Sequence, residues 1–435
     1  MVAVGAPIEG DPWIAVVGAG PAGEAAVDTL LADGANVTLF DEQARTGGNV
    51  RRVATKAPAT RLERRAAEND RLELLAGASV RGVTATGRVD FDVGGQPHAR
   101  DFSAVILACG ARDLHHPLPG LPDDRVSTAG ALQALLKGQR LVPDGRVTIA
   151  GSGPFLYVAA AGLAAAGARV THVIDRLKGS DYLRLAAWGL LMPGNALELA
   201  RTRFRLWRHG TRIVTGRSAV AVHDGILELD DGTNISFSHA GLTELFVPQT
   251  ELPRTAGCRL AYSTRGGYWR VETDSDGRTS VAGVYACGEG QGIRGWRHAE
   301  VSGRVTAGAV LADTGRAGRR HFFPDRLRQR LLTRFASALE TAQRRREPRV
   351  PAADAIVCRC EGTRVKEVDA AVALGLQDLS SVKSVTRCGM GPCQGRYCEP
   401  LVARAIERGG TPPREPLNQR AFVRPVTAGD IANEL

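Results

Sequence analysis

Apolar positions in the first two thirds of the chain come in short unbroken runs. Ile14-Ala-Val-Val17, Val37-Thr-Leu-Phe40 and Ala104-Val-Ile-Leu-Ala108 are three of them. Such runs suit strands buried on both faces, as in a parallel sheet covered by helices. A helical stretch reaching Leu31 separates the first two, giving the order strand, helix, strand. The order recurs as Arg146-Val-Thr-Ile-Ala150, an alanine-rich helix, and Val170-Thr-His-Val-Ile174. Beyond residue 350 the pattern shifts to short helical stretches, predicted over Val365–Leu374, Leu379–Val385 and Glu399–Arg408. The pattern predicts an α/β chain with two similar halves and a small helical C-terminal unit.

The first strand runs into Gly18-Ala-Gly20-Pro21-Ala22-Gly23, and Asp41 and Glu42 close the second strand. Gly18 permits the tight turn, Gly20 lets backbone approach a pyrophosphate, and Gly23 lets helix and strand pack closely. The helix N-terminus attracts the phosphate charge, and Asp41, 18 residues past Gly23, is placed to accept hydrogen bonds from a ribose diol. With strand, glycines, helix, second strand and acid all in order, this is a dinucleotide site rather than a generic turn. Three later features favour FAD over NAD by their likeness to two-dinucleotide flavoproteins. They are Gly47-Gly48, the crossover ending at Gly110, and Gly283-Val-Tyr-Ala-Cys-Gly288-Glu289. The acid of that last segment is usually Asp and bonds the ribityl chain; here it is Glu289, one methylene longer. Cys109 and Cys287, on apolar strands, are expected to be buried small residues.

The repeat carries Gly151-Ser-Gly153-Pro-Phe-Leu156, with leucine at the third glycine position. A leucine there holds helix from strand or crowds a pyrophosphate. Gly151 and Gly153 mark a second nucleotide site for NAD(P) or ATP, or a structural remnant of one. Residues 49–70 contain no cysteine and the chain has no Cys-x-x-Cys, so a flavin here does not discharge to a nearby dithiol.

Five of the eight cysteines lie between 358 and 398: Cys358-x-Cys360, then Cys388-Gly-Met-Gly-Pro-Cys393-Gln-Gly-Arg-Tyr-Cys398. Four thiolates from two loops suit a [2Fe–2S] cluster, with Cys358, Cys360, Cys393 and Cys398 as ligands and Cys388 as the spare or the substitute for one of them. Zinc is the rival, although neither pair has its usual Cys-x2-Cys spacing. Arg359, Arg387 and Arg396 flank the ligands, where positive charge raises a cluster's potential.

Composition narrows the reading little. Hydrophobic residues make up 43% and charged residues 23%, ordinary for a globular protein, and the formal charge is +10. The basic residues are scattered without a nucleic-acid motif, so nucleic-acid binding is not expected. No apolar run reaches the roughly 18 residues of a transmembrane helix, and Met1 to Pro12 does not read as a secretory signal. The expectation is a cytoplasmic protein with reduced, metal-binding cysteines. His115-His116, before Pro117, is expected to be a solvated loop pair. Arg344-Arg345-Arg346, before Pro348, reads as linker.

The C-terminal unit resembles the bacterioferritin-associated ferredoxin-like [2Fe–2S] module. The form Thr386-Arg-Cys-Gly-Met-Gly-Pro-Cys-Gln-Gly-Arg-Tyr-Cys398 resembles that of the alpha subunits of opine oxidases. These are similar to subunits of hydrogen cyanide synthase and of hetero-oligomeric proline and hydroxyproline dehydrogenases. The resemblance extends over Phe246 to Cys258, Asp276 to Tyr285 and Val423 to Gly429, and so over nearly the whole chain. It implies a two-dinucleotide-binding-domain, disulfide-reductase-like flavoprotein with a [2Fe–2S] domain. The expected FAD domain is 1–144 with 245–312, and the inserted NAD(P)-binding-like domain is 145–244. A helical linker at 313–350, the cluster domain at 351–410 and an extended tail at 411–435 follow. The resemblance also implies a partner: a beta subunit, similar to D-amino acid and sarcosine oxidases, that carries the catalytic FAD, with a small third subunit in some complexes. The chain is then expected to be the electron-transfer subunit of a heteromeric amine or imino-acid dehydrogenase or oxidase. The opine, sarcosine, D-amino acid and hydroxyproline classes all fit. The alternatives are a stand-alone NAD(P)H-dependent flavin and iron–sulfur reductase, and a structural or regulatory subunit.

Overall fold

The computed structural model describes residues 13–191, 193–316, 323–347, 352–419 and 423. The residues between 348 and 351, read as linker, and the tail segment past Val423 lie outside them. The first apolar run forms the strand Trp13–Val17 at the centre of a five-stranded parallel sheet. Its neighbours are Asn36–Asp41 and then Leu72–Ala76 on one side, Ala104–Leu107 and then Val284–Ala286 on the other. The helix Pro21–Ala32 begins with proline at its first turn, where the missing N–H costs nothing. It packs against the helix Trp296–Asp313, so chain from both ends of the first unit covers one sheet face.

The repeat builds a second five-stranded parallel sheet, in the order 212–215, 169–175, 146–151, 239–243 and 126–127. The two units are joined by Ala111–Leu114 and Leu245–Pro248, which pair antiparallel. Leu156, in the first turn of the helix Phe155–Ala165, is fully buried in the core that also holds Leu132, Ile149 and Val173. Its side chain fills core volume, so the third glycine is replaced without emptying the turn. Two helices, Gly179–Leu191 and Pro193–Arg208, follow the strand 169–175.

The segment read as a linker holds a 23-residue helix, Phe323–Arg345, that lies along the helix Trp296–Asp313. Leu332 packs there against Val301 and Val305. Arg344 and Arg346 are not linker charges. Arg344 pairs with Glu347 and Glu407, and Arg346 Nε donates to Asp181 at 2.9 Å. The run read as linker because two of its three acids, Glu407 and Asp181, lie far off in sequence.

The C-terminal unit contains the short antiparallel pair Ile356–Cys358 and Thr363–Arg364. Three helices follow, Val365–Ala373, Leu379–Thr386 and Glu399–Arg408. Their apolar faces share one core with Trp269, which belongs to the hairpin 260–271 of the first unit.

Candidate flavin and iron–sulfur sites

The first fingerprint closes into a cradle. Gly23 has no room for a side chain, since a Cβ there would stand 1.8 Å from the Gly18 carbonyl oxygen. Gly20 and Gly48 face each other so closely that a Cβ on Gly48 would fall 2.8 Å from Gly20 Cα. A Cβ on Gly20 meets nothing nearer than Gly48 Cα at 3.9 Å, which leaves open space for a ligand on that turn. Pro21 and Ala22 open the helix whose N-terminus faces the same space. Buried Asp41 accepts from the Ala19 amide at 2.6 Å and the Gln43 amide at 2.8 Å. Burial raises its pKa while those two bonds work the other way. Its remaining lone pairs suit a ribose diol. Glu42 is exposed beside it.

Gly110, at the end of the crossover, opens onto empty space. Gly288 donates its amide to Ser302 Oγ at 2.7 Å, and Glu289 accepts from the Gly295 amide at 2.8 Å. Burial pushes the Glu289 carboxyl up to about 7 against the pull of Arg294. The open turn, the under-used Asp41 and the inward Glu289 fit FAD. Around Glu289 lie groups that the sequence did not reveal. Tyr268 Oη bonds Glu340 and receives the Ile293 amide at 3.0 Å, while Arg294 reaches His298 Nε2 at 3.3 Å. These residues come from a hairpin, a loop and two helices, and no local motif unites them. Cys287 is fully buried and Cys109 partly so, with both thiols pushed up to about 12 by burial.

The five clustered cysteines converge. The Sγ atoms of Cys358, Cys388 and Cys398, all buried, lie within 4.8 Å of one another. Hydrogen bonds from the Cys388 and Cys398 thiols hold Cys358 far below the usual thiol range and push its two donors up. Exposed Cys360 pairs with Cys393 alongside. Cys358 and Cys398 thus belong to the buried triad, the expected ligands Cys360 and Cys393 form the adjoining pair, and Cys388 sits among the triad. This soft, compact donor set fits an iron–sulfur cluster.

The cysteine loop docks on the flavin fold. Arg112, just past the crossover, donates to the Arg396 carbonyl at 3.0 Å and pairs with Glu251 at 2.5 Å. Arg396 itself stands 3.7 Å from Glu251. Arg254 grips Glu399 at 2.8 Å and the Leu417 carbonyl at 3.0 Å. The arginines flanking the thiols have partners, Arg359 with His115 and Arg387 with Glu361. The histidine pair is not solvated. His116 is buried, which drives its pKa down to about 3, and His115 is half-buried with its pKa lowered for the same reason. In the second unit, Gly151 ends its strand and Gly153 turns toward the long helix.

Residues 12–303 match the pyridine nucleotide-disulphide oxidoreductase family, and residues 356–408 match the BFD-like [2Fe-2S] binding domain. The opine oxidase A subunit of Agrobacterium tumefaciens (strain Ach5) is 33% identical, over 96% of this chain and 91% of the relative. The HcnB subunit of hydrogen cyanide synthase from Pseudomonas aeruginosa is 29% identical over 94% of this chain and 97% of the relative. Among solved structures, L-proline dehydrogenase from P. horikoshii superposes with a TM-score of 0.65 at 18% identity, over 97% of this chain and 79% of that one. Among the described residues no helix is long and apolar enough to cross a membrane. With FAD-binding and [2Fe–2S] units in one polypeptide, the chain belongs to the pyridine nucleotide-disulphide oxidoreductase family of flavoproteins and, within it, to the family of opine oxidase A subunits.

Proposed function

We propose that this chain is the electron-transfer subunit of a heteromeric FAD-dependent dehydrogenase or oxidase acting on a CH–NH bond, with the amine oxidised in a partner subunit. Opines, sarcosine, D-amino acids and hydroxyproline form the substrate class. The observation that carries the reading is the docking of the cysteine loop on the flavin crossover through Arg112, Glu251 and Arg396. Two relatives named as subunits, one of an opine oxidase and one of hydrogen cyanide synthase, support the partner.

Bound FAD exchanges electrons singly or in pairs and a [2Fe–2S] cluster exchanges them singly, so together they divide a two-electron oxidation into single steps. This chain's residues prepare both places. Asp41 and the Gly20 turn bind the nucleotide, and Glu289 anchors the ribityl chain. Glu251, held by Arg112 and Arg396, fixes the loop that carries Cys393 and Cys398. Cys358, Cys360, Cys393 and Cys398 are the proposed ligands.

The test is co-purification with the product of the adjacent reading frame, followed by anaerobic addition of an amine. The expected outcome is amine-dependent bleaching of flavin and an electron paramagnetic resonance signal from the reduced cluster. Cys398→Ser is expected to abolish that signal and stop transfer to an external acceptor. A lone chain that rapidly oxidises NADH, or full turnover in Cys398→Ser, would sink the proposal.

A further inference from the structure

The second nucleotide fold offers a control within the same molecule, because the first fold shows what an open site looks like. In such folds the ligand lies beyond the C-terminal edge of the parallel strands. Its pyrophosphate sits on the glycine turn and its ribose hydroxyls on the acid ending the second strand. In the first fold both places are free. In the second fold both are filled by the protein's own side chains.

The turn is filled from the long helix. Gln343 Nε2 donates to the Ser152 carbonyl at 3.1 Å. A Cβ built on Gly153 would stand 2.7 Å from that same nitrogen, whereas the equivalent point on Gly20 is open to 3.9 Å. The acid is filled from below and beside. Asp175 is fully buried, and its Oδ1 accepts the Gly153 and Leu177 amides at 3.1 and 3.0 Å. Its Oδ2 accepts the hydroxyls of Tyr157 at 2.9 Å and Tyr182 at 2.6 Å. A carboxylate has about four acceptor positions, so nothing remains for a ribose.

The rest of the edge is sealed by charge. Arg176 and Glu244, both buried, pair at 2.7 Å across the strand ends. Over them sits Glu347, just past the long helix, bound to Arg404 of the cysteine domain and 3.6 Å from His116. Arg346 ties the same segment to Asp181, which lies in the helix that supplies Tyr182. What is left between these groups is a cavity of about 240 Å³, lined by His116, Glu244, Glu347, Val357, Leu401 and Arg404. That is below the roughly 300–1,000 Å³ of small-molecule sites.

We infer that the second nucleotide fold is a socket that seats the long helix and the iron–sulfur domain, and that Gln343, Tyr157 and Tyr182 exclude nicotinamide and adenine nucleotides from it. The fold's ligand edge has exchanged a diffusible cofactor for a covalently attached arm. This inference goes beyond the electron-relay reading and does not depend on it.

The test uses the assembled complex with flavin and cluster in place. NADH, NADPH and ATP are titrated calorimetrically against the wild type and against Gln343→Ala combined with Tyr182→Phe. The wild type is expected to show no saturable binding tighter than about 1 mM, and the double variant to gain at least about tenfold in affinity. Saturable wild-type binding that Gly153→Val abolishes would overturn the exclusion. Hydrogen exchange tests the socket separately. Gln343→Ala is expected to lower protection in the helix Phe323–Arg345 and in the cysteine domain together, leaving the helix Pro21–Ala32 unchanged. Unchanged protection in both of the first two would overturn the socket. Should the double variant not fold, the wild-type titration and the single variant decide. Amine-dependent cluster reduction reads the relay independently, so failure of one is distinguishable from failure of the other.

Discussion

Asp41 and Asp175 occupy equivalent places in the two folds, yet their neighbours give them opposite fates. Asp41 meets two backbone amides and keeps capacity for a ligand, while Asp175 is saturated by two amides and two tyrosines. The place of Asp41 was legible in sequence because the fingerprint is local. The saturation was not, since Tyr182 approaches from a helix that no motif announces. Glu289 shows the same division, with its place in the strand end readable and its environment not. Arg294 and Glu340 face it from the neighbouring loop and the long helix. Its carboxyl is raised to about 7, above the roughly 4.3 of an unfolded glutamate. Between those values the native state holds a proton that the unfolded state has lost, so stability falls as pH rises through this window. Glu289→Gln is expected to remove a slope of at most about 1.4 kcal/mol per pH unit, read by urea unfolding at several pH values.

At the scale of elements, the long helix departs furthest from what the sequence conveyed. Its helical character was expected, but helical character does not say what an element packs against. Phe323–Arg345 buries Leu332 on Val301 and Val305, sets Phe335 edge-on to Trp188 and sends Gln343 into the second fold. Three partners in three regions of the chain make it a brace rather than a spacer. Leu332→Ala is expected to cost about 2–5 kcal/mol, the range for a buried leucine, and to lower the midpoint of thermal unfolding. The arginines at its end illustrate why spacing alone misleads. Glu407 lies 63 residues from Arg344 and Asp181 165 residues from Arg346, so only the folded chain joins them.

For the molecule as a whole, the cysteine domain is part of the body. Trp269 contributes to its core, and the buried pair Arg254–Glu399 pins its last helix to the first unit. Removing one member of a buried pair leaves the other charge uncompensated. Arg254→Ala is accordingly expected to cost about 3–5 kcal/mol and to raise protease sensitivity around the cysteine loop. Arg254→Ala with Glu399→Leu together should recover much of that loss. The two-dinucleotide architecture and the thiol cluster could both be read from pattern and spacing. Their relative placement could not, because it depends on long-range ion pairs and a shared core.

Leu417 adds a directional consequence. Its Cδ1 lies 2.9 Å from where a Cβ on Gly389 would be and 2.8 Å from the same point on Gly395. It therefore covers the cysteine loop at Gly389 and Gly395, while Cys360 is exposed. The metal centre has a dry flank and a wet flank. Oxidation by oxygen or peroxide is therefore expected to begin at Cys360, ahead of the buried Cys358, Cys388 and Cys398.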